Sequence, residues 1–250
     1  MKTKIWAHRG ASVAAPENTL AAFDLAVQQG ADGIELDVHF SADGVVVVTH
    51  DETCLRVTGE QGHVNQLTLS QLRQLDFSRI LPGFSRQQIP TLAEVFDLIQ
   101  PTSLVINIEL KNSITLYPGL EQAVLDLACT HHMSERICLS SFIHYSLVQA
   151  ALLAQERKLH VPCGLLYSCA LYEPWMYARH VGAQALHPHY ANLRIPGFVD
   201  ACHEAGIQVN VWTIDDPDHL RMAFQLAPDA VITDVPDQAI ALYKAVAGQS

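Results

Sequence analysis

The chain has 250 residues, 49% of them hydrophobic and 16% charged, with a formal net charge of −11. This hydrophobic fraction excludes a disordered chain, and the length suits one large domain or two small ones. The acidic balance argues against nucleic acid as a partner, because phosphate backbones are bound by basic patches. It argues equally against adsorption to anionic membranes, so neither partner is expected.

The start of the sequence predicts a cytoplasmic protein. Residues 1–6 are short and slightly basic, but the polar residues His8 and Arg9 interrupt any apolar segment of a signal peptide. No run of residues has the length and apolarity of a membrane span. The six cysteines include no CxxC pair and stand mostly in apolar contexts, which is typical of buried thiols in a reducing compartment.

Short apolar runs rich in β-branched residues alternate with helical patterns along the chain. The predicted strands are residues 4–8, 33–39, 45–50, 104–110, 136–140, 161–166, 185–187, 208–213 and 230–233. The predicted helices are residues 19–29, 91–99, 120–131, 145–155, 173–180, 197–205, 217–225 and 236–246. This alternation predicts parallel strands joined by right-handed crossovers.

Nine strands are one more than a βα barrel contains, and a short linker explains the difference. Residues 40–44 are too few for a parallel crossover, so residues 45–50 return antiparallel to residues 33–39. The other eight strands predict an α/β fold, a (β/α)8 TIM barrel formed by residues 1–250 as a single domain. Residues 41–90 form a small insertion between strand two and its helix. The hairpin places His50 opposite Glu35 or its neighbour.

Three carboxylates stand where the active site of such a barrel forms, at the carboxyl ends of strands. Glu35 and Asp37 are two residues apart on one strand and share a face, and Glu109 ends the next barrel strand. Converging carboxylates repel one another, and a divalent cation relieves that repulsion. Oxygen ligands favour Mg²⁺ or Ca²⁺, with Mn²⁺ as an alternative. For any one of the three, a salt bridge is the competing interpretation.

Two histidines and two cations follow strands at the same predicted edge. His8 and His50 are the candidates for acid and base, because histidine titrates near neutral pH. Hydrolysis of an ester needs both activation of the attacking oxygen and protonation of the leaving alkoxide, so a pair of histidines suits it. Arg9 and Lys111 offer positive charge to phosphate oxygens. Their alternative role is as charge partners of neighbouring glutamates.

Other histidines raise the possibility of a zinc site. His187 and His189 are two residues apart, and His131 and His132 are adjacent. Neither pair has the CxxC or HExxH context that marks zinc sites, so zinc is disfavoured. The sequence contains no P-loop, GxGxxG or GxSxG motif.

The polar strand ends belong to a longer series of short motifs. They are His8-Arg9-Gly10, Pro16-Glu17-Asn18-Thr19, Glu35-Leu36-Asp37-Val38, His50-Asp51, Ile89-Pro90-Thr91-Leu92-Ala93-Glu94, Glu109-Leu110-Lys111, Ser140-Ser141-Phe142, Val211-Trp212-Thr213 and Ile232-Thr233-Asp234-Val235-Pro236. In this order the motifs resemble the glycerophosphodiester phosphodiesterases over nearly the whole chain. The compact sequence is similar to the cytosolic bacterial branch linked to glycerol-3-phosphate uptake.

The resemblance implies a function and a set of roles. It implies hydrolysis of small glycerophosphodiesters to sn-glycerol 3-phosphate and an alcohol. It implies metal ligation by Glu35, Asp37 and Glu109. It implies acid/base catalysis by His8 and His50, and phosphate binding by Arg9 and Lys111, with Glu17 holding Arg9. It further implies that Phe142 and Trp212 line the alcohol side of the pocket. Residues 212–215 read Trp-Thr-Ile-Asp where the family usually has Trp-Thr-Val-Asn, which leaves the metal and proton-transfer groups untouched.

Three other interpretations compete with this one. A lipid phosphodiesterase of the phospholipase D type would use the same scaffold, but it would need an exposed apolar or basic rim. A non-catalytic phosphodiester-binding protein would be expected to have lost one of the histidines or carboxylates. A barrel isomerase with an acidic metal site would give the paired histidines no role.

Overall fold

Within residues 3–247, which the computed structural model describes, strands and helices alternate as the sequence predicts. The strands are β1 (Lys4–His8), β2 (Gly33–Phe40), β3 (Val46–Val48), β4 (Val105–Leu110), β5 (Ile137–Ser141), β6 (Cys163–Tyr167), β7 (Ala185–Pro188), β8 (Gln208–Val211) and β9 (Ala230–Thr233). The helices are α1 (Leu20–Gln29), α2 (Leu55–Thr58), α3 (Leu69–Leu72), α4 (Leu92–Ile99), α5 (Leu120–Thr130), α6 (His144–Glu156), α7 (Pro174–Val181), α8 (Phe198–Glu204), α9 (Pro217–Leu226) and α10 (Pro236–Ala247).

Eight parallel strands close into a barrel, which confirms the predicted fold. The strand order is β1-β9-β8-β7-β6-β5-β4-β2, and β1 closes the ring by pairing with β2. At the closure His8 is the partner of Glu35 on one side of β1, and Lys4 is the partner of Ala230 on the other. The carboxyl ends of the strands therefore form one mouth.

Strand β2 is long enough to carry two neighbours on one edge. Its first residues pair with β1, and its last residues pair with β3, antiparallel, with Val38 opposite Val48. The other edge pairs with β4 from Gly33 to Val38. Strand β3 therefore runs back toward the end of β1, and the chain that leaves β3 arrives beside His8.

The returning strand is shorter than predicted. It spans Val46–Val48 instead of residues 45–50. One further bond, from the Thr49 amide to the Asp37 carbonyl at 3.1 Å, continues the pairing, and the chain bends away at His50. A turn over residues 41–44, closed by a 3.0 Å bond from the Gly44 amide to the Ser41 carbonyl, makes the hairpin. Gly44 has φ +77°, a conformation that glycine adopts without strain.

Apolar side chains on the outward faces of the strands bind the helices to the barrel. On β2 these are Ile34, Leu36 and Val38, all fully buried in the main core, while Glu35 and Asp37 face inward. Helix α4 begins with a capping box, in which Thr91 and Glu94 satisfy each other's backbone amides.

Among the described helices, none is long and apolar enough to span a membrane.

The segment between β2 and α4 has a small core of its own. Its buried apolar residues are Val47, Cys54, Val57, Val64, Leu72, Phe77 and Ile89. Helix α2 lies in this segment and is not predicted from the sequence. The segment is joined to the barrel by the pairing of β3 with β2. Within the segment, the Val48 amide donates to the Pro90 carbonyl at 2.9 Å.

Candidate active site

The three predicted carboxylates meet inside the barrel mouth. Glu35 and Asp37 point inward from β2, and Glu109 points inward from β4, where it is the register partner of Asp37. One oxygen from each of the three lies within 4.8 Å of the others, and all three side chains are buried. Because strand residues two apart share a face, the spacing of Glu35 and Asp37 is enough to place both in the site.

The electrostatics of this triad fit a bound cation. Burial and the nearby Asp37 charge raise the pKa of Glu35 to about 8 and that of Glu109 to about 7. Burial opposes ionisation of Asp37 too, but Lys111 and Arg9 hold its pKa below the usual range. The Asp37 Oδ1 atom is buried without a hydrogen-bond partner, and Lys111 Nζ is 3.6 Å away. Repelling carboxylates with a free oxygen are a donor set that suits a hard divalent cation.

His8 is held by an aspartate at the far end of the chain. Its Nδ1 lies 2.6 Å from Asp234 Oδ1, which also accepts a 2.8 Å bond from Ser12 Oγ. Its Nε2 is 4.0 Å from Glu35 Oε2. Burial lowers the pKa of His8, but the Asp234 hydrogen bond and the Glu35 charge outweigh it, so the pKa is raised. The aspartate fixes the ring so that Nε2 faces the carboxylates.

His50 is held in the same way by its own neighbour. Its Nδ1 lies 2.6 Å from Asp51 Oδ1, and Arg56 of α2 binds Asp51 through Nε at 2.7 Å. Burial lowers the pKa of His50, although the charge of Asp37 and the hydrogen bond to Asp51 act in the other direction. In each histidine, Nδ1 is therefore bonded to an aspartate and Nε2 is not.

The two predicted cations are already paired with carboxylates. Arg9 Nη1 donates to Glu17 Oε1 at 2.9 Å, and Lys111 Nζ donates to Glu109 Oε1 at 2.9 Å. Arg9 has φ +56°, a strained conformation for a residue other than glycine, and its backbone amide bonds to Glu35. Their role as charge partners is thus observed, and both residues still face the cavity.

A cavity of about 120 Å³ collects the predicted site residues. It is lined by His8, Arg9, Glu35, His50, Glu109, Lys111, Phe142 and Trp212 among others, while Asp37 lies beyond the lining. The Phe142 and Trp212 rings meet edge to face with centroids 5.6 Å apart. Trp212 Nε1 donates to the His187 carbonyl at 2.7 Å, which fixes the indole at the edge of the cavity.

This geometry agrees with comparisons to known proteins. The family model described as the glycerophosphoryl diester phosphodiesterase family matches residues 8–238. The chain belongs to this family. It is accordingly an enzyme of the phosphoric diester hydrolase class.

Relatives in sequence and structure cover almost the whole chain. A glycerophosphodiester phosphodiesterase of Caldanaerobacter subterraneus subsp. tengcongensis is 42% identical over 245 residues, covering 98% of this chain and 99% of that protein. The solved structure of a glycerophosphodiester phosphodiesterase from Agrobacterium tumefaciens is 32% identical, with a TM-score of 0.82 over 96% of this chain and 99% of that one. An Oleispira antarctica phosphodiesterase, solved with the product sn-glycerol-3-phosphate, is 31% identical, with a TM-score of 0.86 over 96% of both chains.

The structure adds positioning residues to which the sequence assigned no role. Asp234 and Asp51 orient the two histidines, and Asn18 Nδ2 donates to Asp37 Oδ2 at 2.9 Å. Arg56 reaches from the insertion to both Asp51 and Glu17, at 2.7 Å to each. The sequence did carry a signal for the aspartates, since one follows His50 directly and the other follows the last barrel strand.

The histidines considered for zinc lie outside any ligand cluster. Over residues 3–247, the one group of three or more potential metal ligands is the carboxylate triad. His187 is fully buried in the barrel, where its Nε2 is 2.9 Å from Asn210 Nδ2. His189 Nδ1 accepts a bond from the Ala191 amide, and His131 Nδ1 is 2.9 Å from Asp97. His187, His189 and His131 thus have hydrogen-bonding partners that are not part of a ligand cluster.

Proposed function

We propose that this enzyme hydrolyses glycerophosphodiesters to sn-glycerol 3-phosphate and a free alcohol, with one divalent cation bound by Glu35, Asp37 and Glu109. The observation that carries the proposal is the presence of this carboxylate triad beside two aspartate-held histidines at one barrel mouth. The sn-glycerol-3-phosphate bound to the Oleispira antarctica relative supports the choice of product.

Mg²⁺ and Ca²⁺ are the cations that best suit three carboxylates, with Mn²⁺ as an alternative. When bound, the cation supplies positive charge that offsets the triad and stabilises the negative charge of the phosphate in the transition state. Buried carboxylates whose pKa values reach about 8 and about 7 would otherwise hold protons near neutral pH. Glu35 and Glu109 would therefore be held in their ionised forms by a cation bound at the triad.

His8 and His50 carry out the two proton transfers. Because Nδ1 of each ring is bound to an aspartate, Nε2 is the nitrogen left to exchange a proton with substrate. One histidine takes the proton of the attacking oxygen, and the other gives a proton to the departing alcohol. The attacking oxygen belongs either to water or to the neighbouring glycerol hydroxyl, and early release of a cyclic phosphate would identify the second route.

Arg9 and Lys111 bind the non-bridging phosphate oxygens. Lys111 is buried and Arg9 is half-buried at the cavity wall, and their carboxylate partners hold them in place without filling their donor capacity. Phe142 and Trp212 form the opposite, apolar wall against the alcohol half of the substrate. The two walls together orient the diester, with glycerol toward the carboxylates.

The decisive experiment measures release of sn-glycerol 3-phosphate from glycerophosphocholine. The protein is first stripped with a chelator, and Mg²⁺, Ca²⁺, Mn²⁺ or Zn²⁺ is then restored separately. We expect activity to return with Mg²⁺, Ca²⁺ or Mn²⁺. Failure of every ion over several head groups would contradict the proposal.

Single variants separate the roles in the same assay. His8→Ala and His50→Ala should lower kcat by about 10²–10⁴-fold, the usual size of an acid/base contribution, while metal binding is retained. Glu35→Ala should weaken metal binding instead, as calorimetry would show. His160→Ala is the matched control, because this histidine is exposed and away from the cavity. Full activity in either active-site histidine variant would refute its assignment.

A further inference from the structure

An apolar groove continues from the active-site cavity across the barrel mouth. It is lined by Phe142, Leu166, Leu171, Tyr172, Pro174 and Tyr177 among others. Phe142 and Leu166 line the active-site cavity as well, so the two spaces share a wall. The groove lies over the loops that follow β5 and β6. Strand β5 is the neighbour of β4, which carries Glu109, and β6 lies one strand farther along the barrel.

The side chains of this groove are unusual for a protein surface. Tyr172 is 91% exposed, and Leu171, Phe142 and Tyr177 are 37–41% exposed. Within residues 3–247, the residues that line the groove include no Asp, Glu, Lys or Arg. His144, which also lines it, has Nε2 on the Leu166 carbonyl at 2.9 Å and Nδ1 near the Tyr177 hydroxyl at 3.3 Å. An apolar patch of this kind beside an active site marks a binding surface.

The groove volume is about 540 Å³, within the range of roughly 300–1,000 Å³ that is common for small-molecule clefts. The part of the substrate that enters the groove can be inferred from the polarity of the barrel mouth. The glycerol half of a diester has hydroxyl groups that suit the charged side near Glu35 and Lys111. The leaving alcohol then passes the Phe142 and Trp212 rings and enters the groove.

We propose that this groove binds an apolar chain on the leaving alcohol, so that glycerophosphodiesters of longer alkyl alcohols are preferred substrates. The proposal rests on the proposed function and names a substrate class for the same site. It predicts that each methylene that enters the groove raises kcat/KM by about 2- to 4-fold, given the free energy of burying a methylene group partly or fully.

The test uses glycerophosphodiesters of ethanol, butanol, hexanol and octanol. These primary alcohols have nearly the same pKa, so the chemical step is constant and the trend in kcat/KM reports binding of the chain. All concentrations are kept below micelle formation, as checked by light scattering. Wild type is compared with Leu171→Asp and Tyr172→Asp, which introduce charge at exposed positions and leave the catalytic groups in place. Leu152→Asp, on α6 and 50% exposed, is the matched control.

We expect kcat/KM to rise with chain length in wild type and in Leu152→Asp, and to be flat in the two groove variants with the ethyl ester unaffected. If wild type hydrolyses the ethyl ester but its kcat/KM does not change with chain length, the groove proposal is overturned and the proposed function stays intact. A rise found only with micelles, or unchanged by both groove variants, would overturn it too.

Binding of the same series to His50→Ala gives an answer that does not need turnover. Calorimetry should show Kd falling by about 2- to 4-fold per methylene, and this fall should be lost when Leu171→Asp is added. If neither these esters nor glycerophosphocholine is hydrolysed, the proposed function fails. The binding series then decides the groove by itself, and a Kd independent of chain length would refute it.

Discussion

Gly164 and His187 are in close contact inside the barrel, and this predicts the effect of adding one methyl group. A Cβ atom on Gly164 would lie 2.1 Å from His187 Nε2 and 2.4 Å from Cδ2, far inside van der Waals contact. The imidazole is fully buried and its Nε2 is bonded to Asn210, so the ring cannot move without breaking that bond. Gly164→Ala should therefore cost about 3 kcal/mol or more, from overpacking of about 1–3 kcal/mol and a lost buried hydrogen bond of similar size.

A double-mutant cycle isolates the cause. His187→Ala alone should cost about 2–4 kcal/mol, because it leaves a cavity and an unpaired Asn210. In the double variant the methyl group of residue 164 has space, so the combined cost should fall short of the sum by about 1–3 kcal/mol. Gly30→Ala is the control: its Cβ would meet nothing within 4 Å, and its cost comes from φ +83° alone. That cost should add to the effect of His187→Ala within about 0.5 kcal/mol.

The measurement is the free energy of unfolding in urea by linear extrapolation, with far-UV circular dichroism as the check of folding. If Gly164→Ala is insoluble, recovery of a folded double variant would also support the steric explanation. A Gly164→Ala protein within about 0.5 kcal/mol of wild type, or a cycle that is simply additive, would refute it.

Two further predictions concern the orientation of His8 by Asp234 and the burial of His187. Asp234→Asn should lower kcat on glycerophosphocholine by roughly 10–100-fold with metal affinity unchanged, since it loosens the orientation of His8; an unchanged kcat would show that Asp234 is not needed to orient the ring. Burial lowers the pKa of His187 to about 3. Below pH 6.5 the unfolded chain therefore binds a proton at His187 that the folded chain does not. The contribution of His187 to the free energy of unfolding is complete above pH 6.5, and it falls by about 1.4 kcal/mol for each pH unit below that. Between pH 6.5 and 5, wild type should lose about 2 kcal/mol more than His187→Asn in urea unfolding, and parallel pH profiles would contradict this.

The sequence alone determined the order of elements and the residues that face the mouth. The barrel follows from the alternation of apolar runs and helical patterns, and the hairpin from the short linker at residues 40–44. The inward direction of Glu35 and Asp37 follows from their spacing along one strand. These are local properties, because strand periodicity and linker length act over a few residues.

The tertiary structure decided what these residues touch. His8 finds Asp234, 226 residues away, only because β1 closes the barrel against β9. His50 reaches the mouth because β3 pairs with the far end of β2, where the register continues the edge occupied by β1. The groove likewise joins loops that follow β5 and β6. The contacts of His8 and of the groove depend on strands distant in sequence, whose pairing no local pattern encodes, whereas the β2–β3 hairpin follows from its short linker.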